Sequence, residues 1–135
     1  MAIQIVELLK ERRLRLSAQK NVDGSDIVLL TVLIEDGIDK LSIKLRNLGA
    51  SALTGFEIQY QVSPDTGWDT IENTGTDWTA PAPKGFIKYG RSDPTTLGPE
   101  LETLFYMIDI SAWYAIRFVA SSTATTIAID VKGGV

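Results

Sequence analysis

Leu41-Ser42-Ile43-Lys44-Leu45-Arg46 alternates apolar and polar side chains without a break, and Phe56-Glu57-Ile58-Gln59-Tyr60-Gln61-Val62 does so again with the parity reversed. A period of two sends successive side chains to opposite faces of a sheet, so each segment predicts a strand with one buried face. Between them runs the small-residue connection Asn47-Leu48-Gly49-Ala50-Ser51-Ala52, where Gly49 is expected to supply the backbone freedom of a tight reversal. The last third repeats the pattern. Leu104, Tyr106, Ile108 and Ile110 alternate with Phe105, Met107, Asp109 and Ser111, and Tyr114, Ile116 and Phe118 alternate with Ala115, Arg117 and Val119. Thr125 to Val131 sets Ile127, Ile129 and Val131 on one face, after a turn at Ser121-Ser122-Thr123-Ala124. Ile27 to Ile34 is apolar almost throughout and reads as a strand buried on both faces.

The remaining segments are punctuation. Turns are expected at Asn21-Val22-Asp23-Gly24-Ser25-Asp26, at residues 35–39 and at Ser63-Pro64-Asp65-Thr66-Gly67, with a short returning strand at Trp68 to Ile71. Residues 73–102 hold four of the five prolines, Pro81, Pro83, Pro94 and Pro99, and only Gly85-Phe86-Ile87-Lys88-Tyr89 reads as a strand there. A connection of that length in a compact domain is usually functional or mobile. In residues 1–20 the apolar spacing fits a helical face as well as a strand; an extended N-terminal region with a strand near Arg12 to Ala18 is the preferred reading. About seven to nine short strands with no long helix predict an all-β fold, a two-layer antiparallel β-sandwich of jelly-roll or Ig-like type. An arm or first strand over 1–24 would precede a sandwich domain over 25–135, with a loop insertion at about 73–102.

With 135 residues the chain can close one core without covalent staples. It contains neither cysteine nor histidine, which removes disulfides, thiolate chemistry, imidazole bases and the usual zinc ligands. Catalysis is therefore not expected, and neither a cofactor nor a metal is called for. The net charge of −4 argues against a broad grip on nucleic acid. Its distribution is uneven: residues 1–20 carry five cations against two carboxylates, and the rest eight against fifteen. A basic leading segment on an acidic body suits an acidic partner, with Lys10, Arg12, Arg13 and Arg15 as the candidate contacts; a plain solvated face is the competing interpretation. The apolar run Ile3 to Leu9 is broken by Gln4 and Glu7 and its cations follow it, unlike a secretory signal, and no apolar stretch is long enough to span a bilayer. A soluble chain made inside a cell is the expectation.

Few motifs carry chemistry. Asp23-Gly24-Ser25-Asp26 lacks the alternating ligands and closing glutamate of a calcium loop and is read as a turn. Asp65, Asp69, Glu72 and Asp77 gather around Trp68, but nothing in their spacing shows that any two converge as an acid–base pair. The aromatics say more. Trp68 and Trp113 border strands and are read first as caps on the core, whereas Trp78, in a polar loop bounded by prolines, is the better contact for a partner, with Phe86 and Tyr89 beside it. A glycan stacked on Trp78, Tyr89 and Trp68 is the alternative use of the same rings.

The runs LSIKLRNLGASALTGFEIQYQVSPDTGWDTI and ISAWYAIRFVASSTATTIAIDVKG resemble small β-sandwich structural proteins of tailed bacteriophages. The resemblance covers about residues 41–72 and 108–133 and rests on an Asn-x-Gly turn, a Leu-x-x-Phe strand and a late Tyr-x-x-Arg-Phe-x-Ala-Ser strand. It implies a virion component without enzymatic activity, first of all a capsid decoration (cement) protein on the outer capsid surface, made in the host cytoplasm. A tail or neck piece is the other placement. The implied partner is the major capsid protein or another virion protein. The implied assembly is a homo-oligomer, a trimer being common in such proteins, with no nucleic acid or membrane partner.

Overall fold

The computed structural model describes residues 14–34, 37–71, 87–90 and 94–134. Nine strands follow in order: β1 (Leu14–Val22), β2 (Ile27–Leu33), β3 (Lys40–Asn47), β4 (Leu53–Gln61), β5 (Asp69–Thr70), β6 (Ile87–Gly90), β7 (Glu102–Met107), β8 (Ala115–Ser122) and β9 (Thr125–Gly134). They form a five-stranded sheet in the order β1-β9-β3-β7-β6 and a four-stranded sheet in the order β2-β8-β4-β5, all pairings antiparallel. The pairings are nested, β1 with β9, β2 with β8, β3 with β7 and β4 with β5, so the chain behaves as one long hairpin rolled over two layers. That wiring is a jelly roll, and of the two sandwich types expected from the sequence it sets the Ig-like one aside.

The alternation in the sequence becomes the core. β3 points Leu41, Ile43 and Leu45 inward, β7 contributes Phe105 and Met107, and β9 adds Ile127, Ile129 and Val131. Facing them from the other sheet are Leu29 and Val32, Leu53, Phe56 and Ile58, and Ile116, Phe118 and Ala120. Phe56, Phe105 and Phe118 meet across the layers with ring centroids 6.1 to 6.4 Å apart, within the range where aromatic pairs add to their burial.

Three sequence expectations change. The run Ile27 to Ile34 is not buried on both faces: β2 is an edge strand paired only with β8, so Leu29 and Val32 are buried while Val28 and Leu33 are exposed. The strand with buried residues on both faces is β8, which lies between β2 and β4. Asn21 and Val22 belong to β1 and not to the turn, because β1 stays in register with β9 as far as the pair Val22 and Thr125. Gly49 is needed for close approach and not for a left-handed backbone. A Cβ there would run into the Thr125 hydroxyl and come within 2.8 Å of the Thr126 nitrogen, whereas Gly37 is the glycine with positive φ among the described residues.

The corner around Gly49 is held by Asn47, which is 1% exposed. Its Nδ2 donates to the Ser51 and Leu97 carbonyls at 2.8 and 3.0 Å, and its Oδ1 accepts from Gly49 N–H and the Thr125 hydroxyl at 3.1 and 2.6 Å. Its backbone N–H and carbonyl pair with Leu101 and Glu100. The end of the proline-rich connection is therefore fixed: after a 3-10 turn at Pro94–Thr96, Leu97 is buried in the core and its carbonyl also accepts from Leu53 N–H.

Candidate functional site: a basic face and a polar face

In the five-stranded sheet the outward positions are those between the core residues: 15, 17 and 19 on β1, 126, 128, 130 and 132 on β9, 40, 42, 44 and 46 on β3, and 102, 104 and 106 on β7. The register aligns them in rows. One row runs Arg15, Lys132, Ser42, Tyr106; the next runs Ser17, Asp130, Lys44, Leu104; the third runs Gln19, Ala128, Arg46, Glu102. Lys40 stands beside Gly134 at the margin. Five cations and two carboxylates thus share one face of an acidic chain.

Two of the cations have partners. Lys44 Nζ lies 3.4 Å from Glu102, and Arg46 lies 3.8 Å from Asp130, whose other oxygen accepts from the Ser17 hydroxyl at 2.7 Å. These are exposed pairs of little worth to stability. Arg15, Lys40 and Lys132 have no ion pair among the described residues. Arg15 and Lys132 are direct cross-strand partners, a like-charge arrangement that a sheet tolerates at some cost and that an incoming anionic group would relieve.

Of the contacts expected from the sequence, Arg15 stands on this face. Lys10, Arg12, Arg13, Trp78 and Phe86 lie outside the described residues. Tyr89 falls on β6, in register with Tyr106 of β7. Sequence reasoning missed Lys40, Lys44, Arg46 and Lys132. Their polar parity in β3 and β9 was legible, but which strands lie side by side was not.

The outer face of the four-stranded sheet is different. Its central row is Thr31, Arg117, Gln59 and Thr70, flanked by Val28, Val119 and Glu57 on one side and by Leu33, Ala115 and Gln61 on the other. Arg117 Nε donates to Gln59 Oε1 at 2.7 Å, and the Gln59 amide donates to Glu57 Oε2 at 3.1 Å. The Arg117 guanidinium lies 4.3 Å over the Trp68 ring, so Trp68 belongs to this surface and not to a cap on the core. Trp113 does pack on the core, stacked on Tyr60 with centroids 4.7 Å apart. Among the described residues no three carboxylates converge as a metal site, and no helix is long and apolar enough to cross a membrane.

No protein-family model and no curated protein matches the chain. Among solved structures, the SPBc2 prophage-derived protein YomS aligns at 14% identity over 87% of this chain and 95% of that one, with a TM-score of 0.45. A chain of the Bacillus endospore appendages, described as disulfide-linked pili, aligns at 9% identity over 91% and 87%, with a TM-score of 0.44. The K1 cleaved adhesin domain of Lys-gingipain from Porphyromonas gingivalis W83 aligns at 11% identity over 89% and 97%, with a TM-score of 0.38. Function is read from this chain's own residues.

Proposed function

We propose that this chain is a non-enzymatic structural protein of a phage particle, a decoration protein that docks the outer face of its five-stranded sheet onto an acidic surface of the shell. The observation that carries the docking reading is the row of Arg15 and Lys132, two like charges held side by side on a face with a surplus of cations. A rigid sheet keeps that charge in place, and complementary charge speeds encounter and fixes the register of docking. The phage assignment rests on the resemblance of residues 41–72 and 108–133 to phage sandwich proteins. Many copies, each burying a modest interface across neighbouring shell subunits, would raise the force needed to separate them through multivalent attachment. A homo-oligomer fits this role, since it engages several subunits at once.

Quantitative mass spectrometry of purified particles tests the assignment. The expected result is a copy number comparable to that of the major capsid protein. A handful of copies per particle would move the chain to the tail or neck, and its absence from particles would remove the virion reading.

A further inference from the structure

We propose that the outer face of the four-stranded sheet is a binding site for an uncharged, hydroxyl-rich glycan, centred on Arg117, Gln59 and Glu57 with Trp68 at its rim. The site lies on the opposite layer from the docking face and stands independently of it.

Several observations point to a ligand and not merely to a stabilising ladder. Arg117 and Glu57 do not pair directly. Here Gln59 stands between them, accepting from Arg117 Nε at 2.7 Å and donating to Glu57 Oε2 at 3.1 Å. Thr70 approaches the same glutamate oxygen, its hydroxyl 3.5 Å away. Each end of the row keeps unused capacity. Among the described residues the two Nη groups of Arg117 have no hydrogen bond or ion pair, and Glu57 Oε1 accepts none. The row therefore presents donors at one end and an acceptor at the other, on adjacent strands about 4.8 Å apart.

That donor set selects the class of ligand. A sugar hydroxyl both donates and accepts, so neighbouring hydroxyls of a pyranose satisfy an arginine and a carboxylate together. The single positive and single negative charge cancel, which removes any general preference for an anion. Trp68 borders the row with one ring face under the Arg117 guanidinium, so the stacked pair forms the rim. Ala115 and Val119, the outward neighbours of Arg117 on β8, are buried. Arg117 is already pinned between Trp68 and Gln59, so little rotamer freedom is left to lose on binding. The groups sit on strands and not on loops, which holds their spacing. The glycan expected from the sequence was placed on Trp78, Tyr89 and Trp68; of these only Trp68 belongs to this site, whose centre is Arg117, Gln59 and Glu57.

The test is a titration of the 15N-labelled full chain with cellohexaose, maltohexaose and mannohexaose to about 10 mM, tenfold above a weak Kd of about 1 mM, with oligogalacturonate as the charged comparator. At least one neutral oligosaccharide is expected to shift the Arg117 Nε–H and Trp68 indole N–H signals saturably. Arg117→Ala should weaken that binding by about tenfold or more, and so should Glu57→Gln, a milder change that keeps the side-chain shape. Lys132→Glu and Arg15→Glu should leave it unchanged, which separates this site from the docking face. Silence with all three neutral sugars, binding of oligogalacturonate alone, or unchanged affinity in a folded Glu57→Gln chain would each overturn the proposal.

Discussion

Replacing Asn47 by alanine strips partners from the Ser51 and Leu97 carbonyls, the Gly49 N–H and the Thr125 hydroxyl at once. Asn47 is buried, so water does not replace the lost partners. Leaving buried polar groups unpaired predicts a loss of about 2–4 kcal/mol in unfolding free energy, measured by chemical denaturation. Asn47→Asp should fare no better, because a carboxylate replaces the amide that donates to two carbonyls. Gly49→Ala is expected to destabilise for a steric reason, since the new methyl meets the backbone of Thr125 and Thr126 and not merely a flexible side-chain end. The Asn-x-Gly signature was readable as a corner. Its physical basis was not, because the group that Gly49 makes room for lies more than seventy residues away on β9.

The strands β2 and β8 show how far a hydrophobic pattern reaches. Both are rich in apolar residues, yet only β8 has a neighbour on each side and carries buried residues on both faces. An apolar run records that a strand has a face to bury, and it does not record whether the strand ends at a sheet edge. Val32→Ala, which empties a fully buried position, should cost about 2 kcal/mol from lost transfer energy and the cavity left behind. Leu33→Thr, one residue on and 53% exposed, should cost under about 0.5 kcal/mol. Comparable losses at both positions in denaturation would contradict one-sided burial of β2. The same reasoning explains the basic face. Lys44 and Arg46 could be assigned to the polar side of β3 from the sequence, but Arg15 and Lys132 become neighbours only through the pairing of the first described strand with the last.

At the scale of the whole molecule the jelly roll separates two chemistries by the thickness of its core. One outer face gathers cations from β1, β3 and β9; the other carries a charge-balanced polar row beside Trp68. The like-charge pair Arg15 and Lys132 gives this division a thermodynamic signature. Lys132→Glu should leave the isolated chain unchanged or raise its unfolding free energy by about 0.2–0.5 kcal/mol, because a repulsive cross-strand pair becomes attractive. The same substitution should weaken attachment to the particle, and attachment of the natural chain should weaken as salt shortens the Debye length from about 10 Å at 0.1 M towards 3 Å at 1 M. A residue that is neutral or unfavourable to the fold and favourable to docking is the mark of a functional surface.

The most direct test is reattachment to particles stripped of this chain, comparing the natural sequence with the Arg15→Glu, Lys132→Glu double variant. The account predicts saturable binding of the natural chain and a loss of about tenfold or more in affinity for the variant, with its thermal melting preserved. Equal binding of the two chains, with both folded, would contradict the basic face as the docking surface.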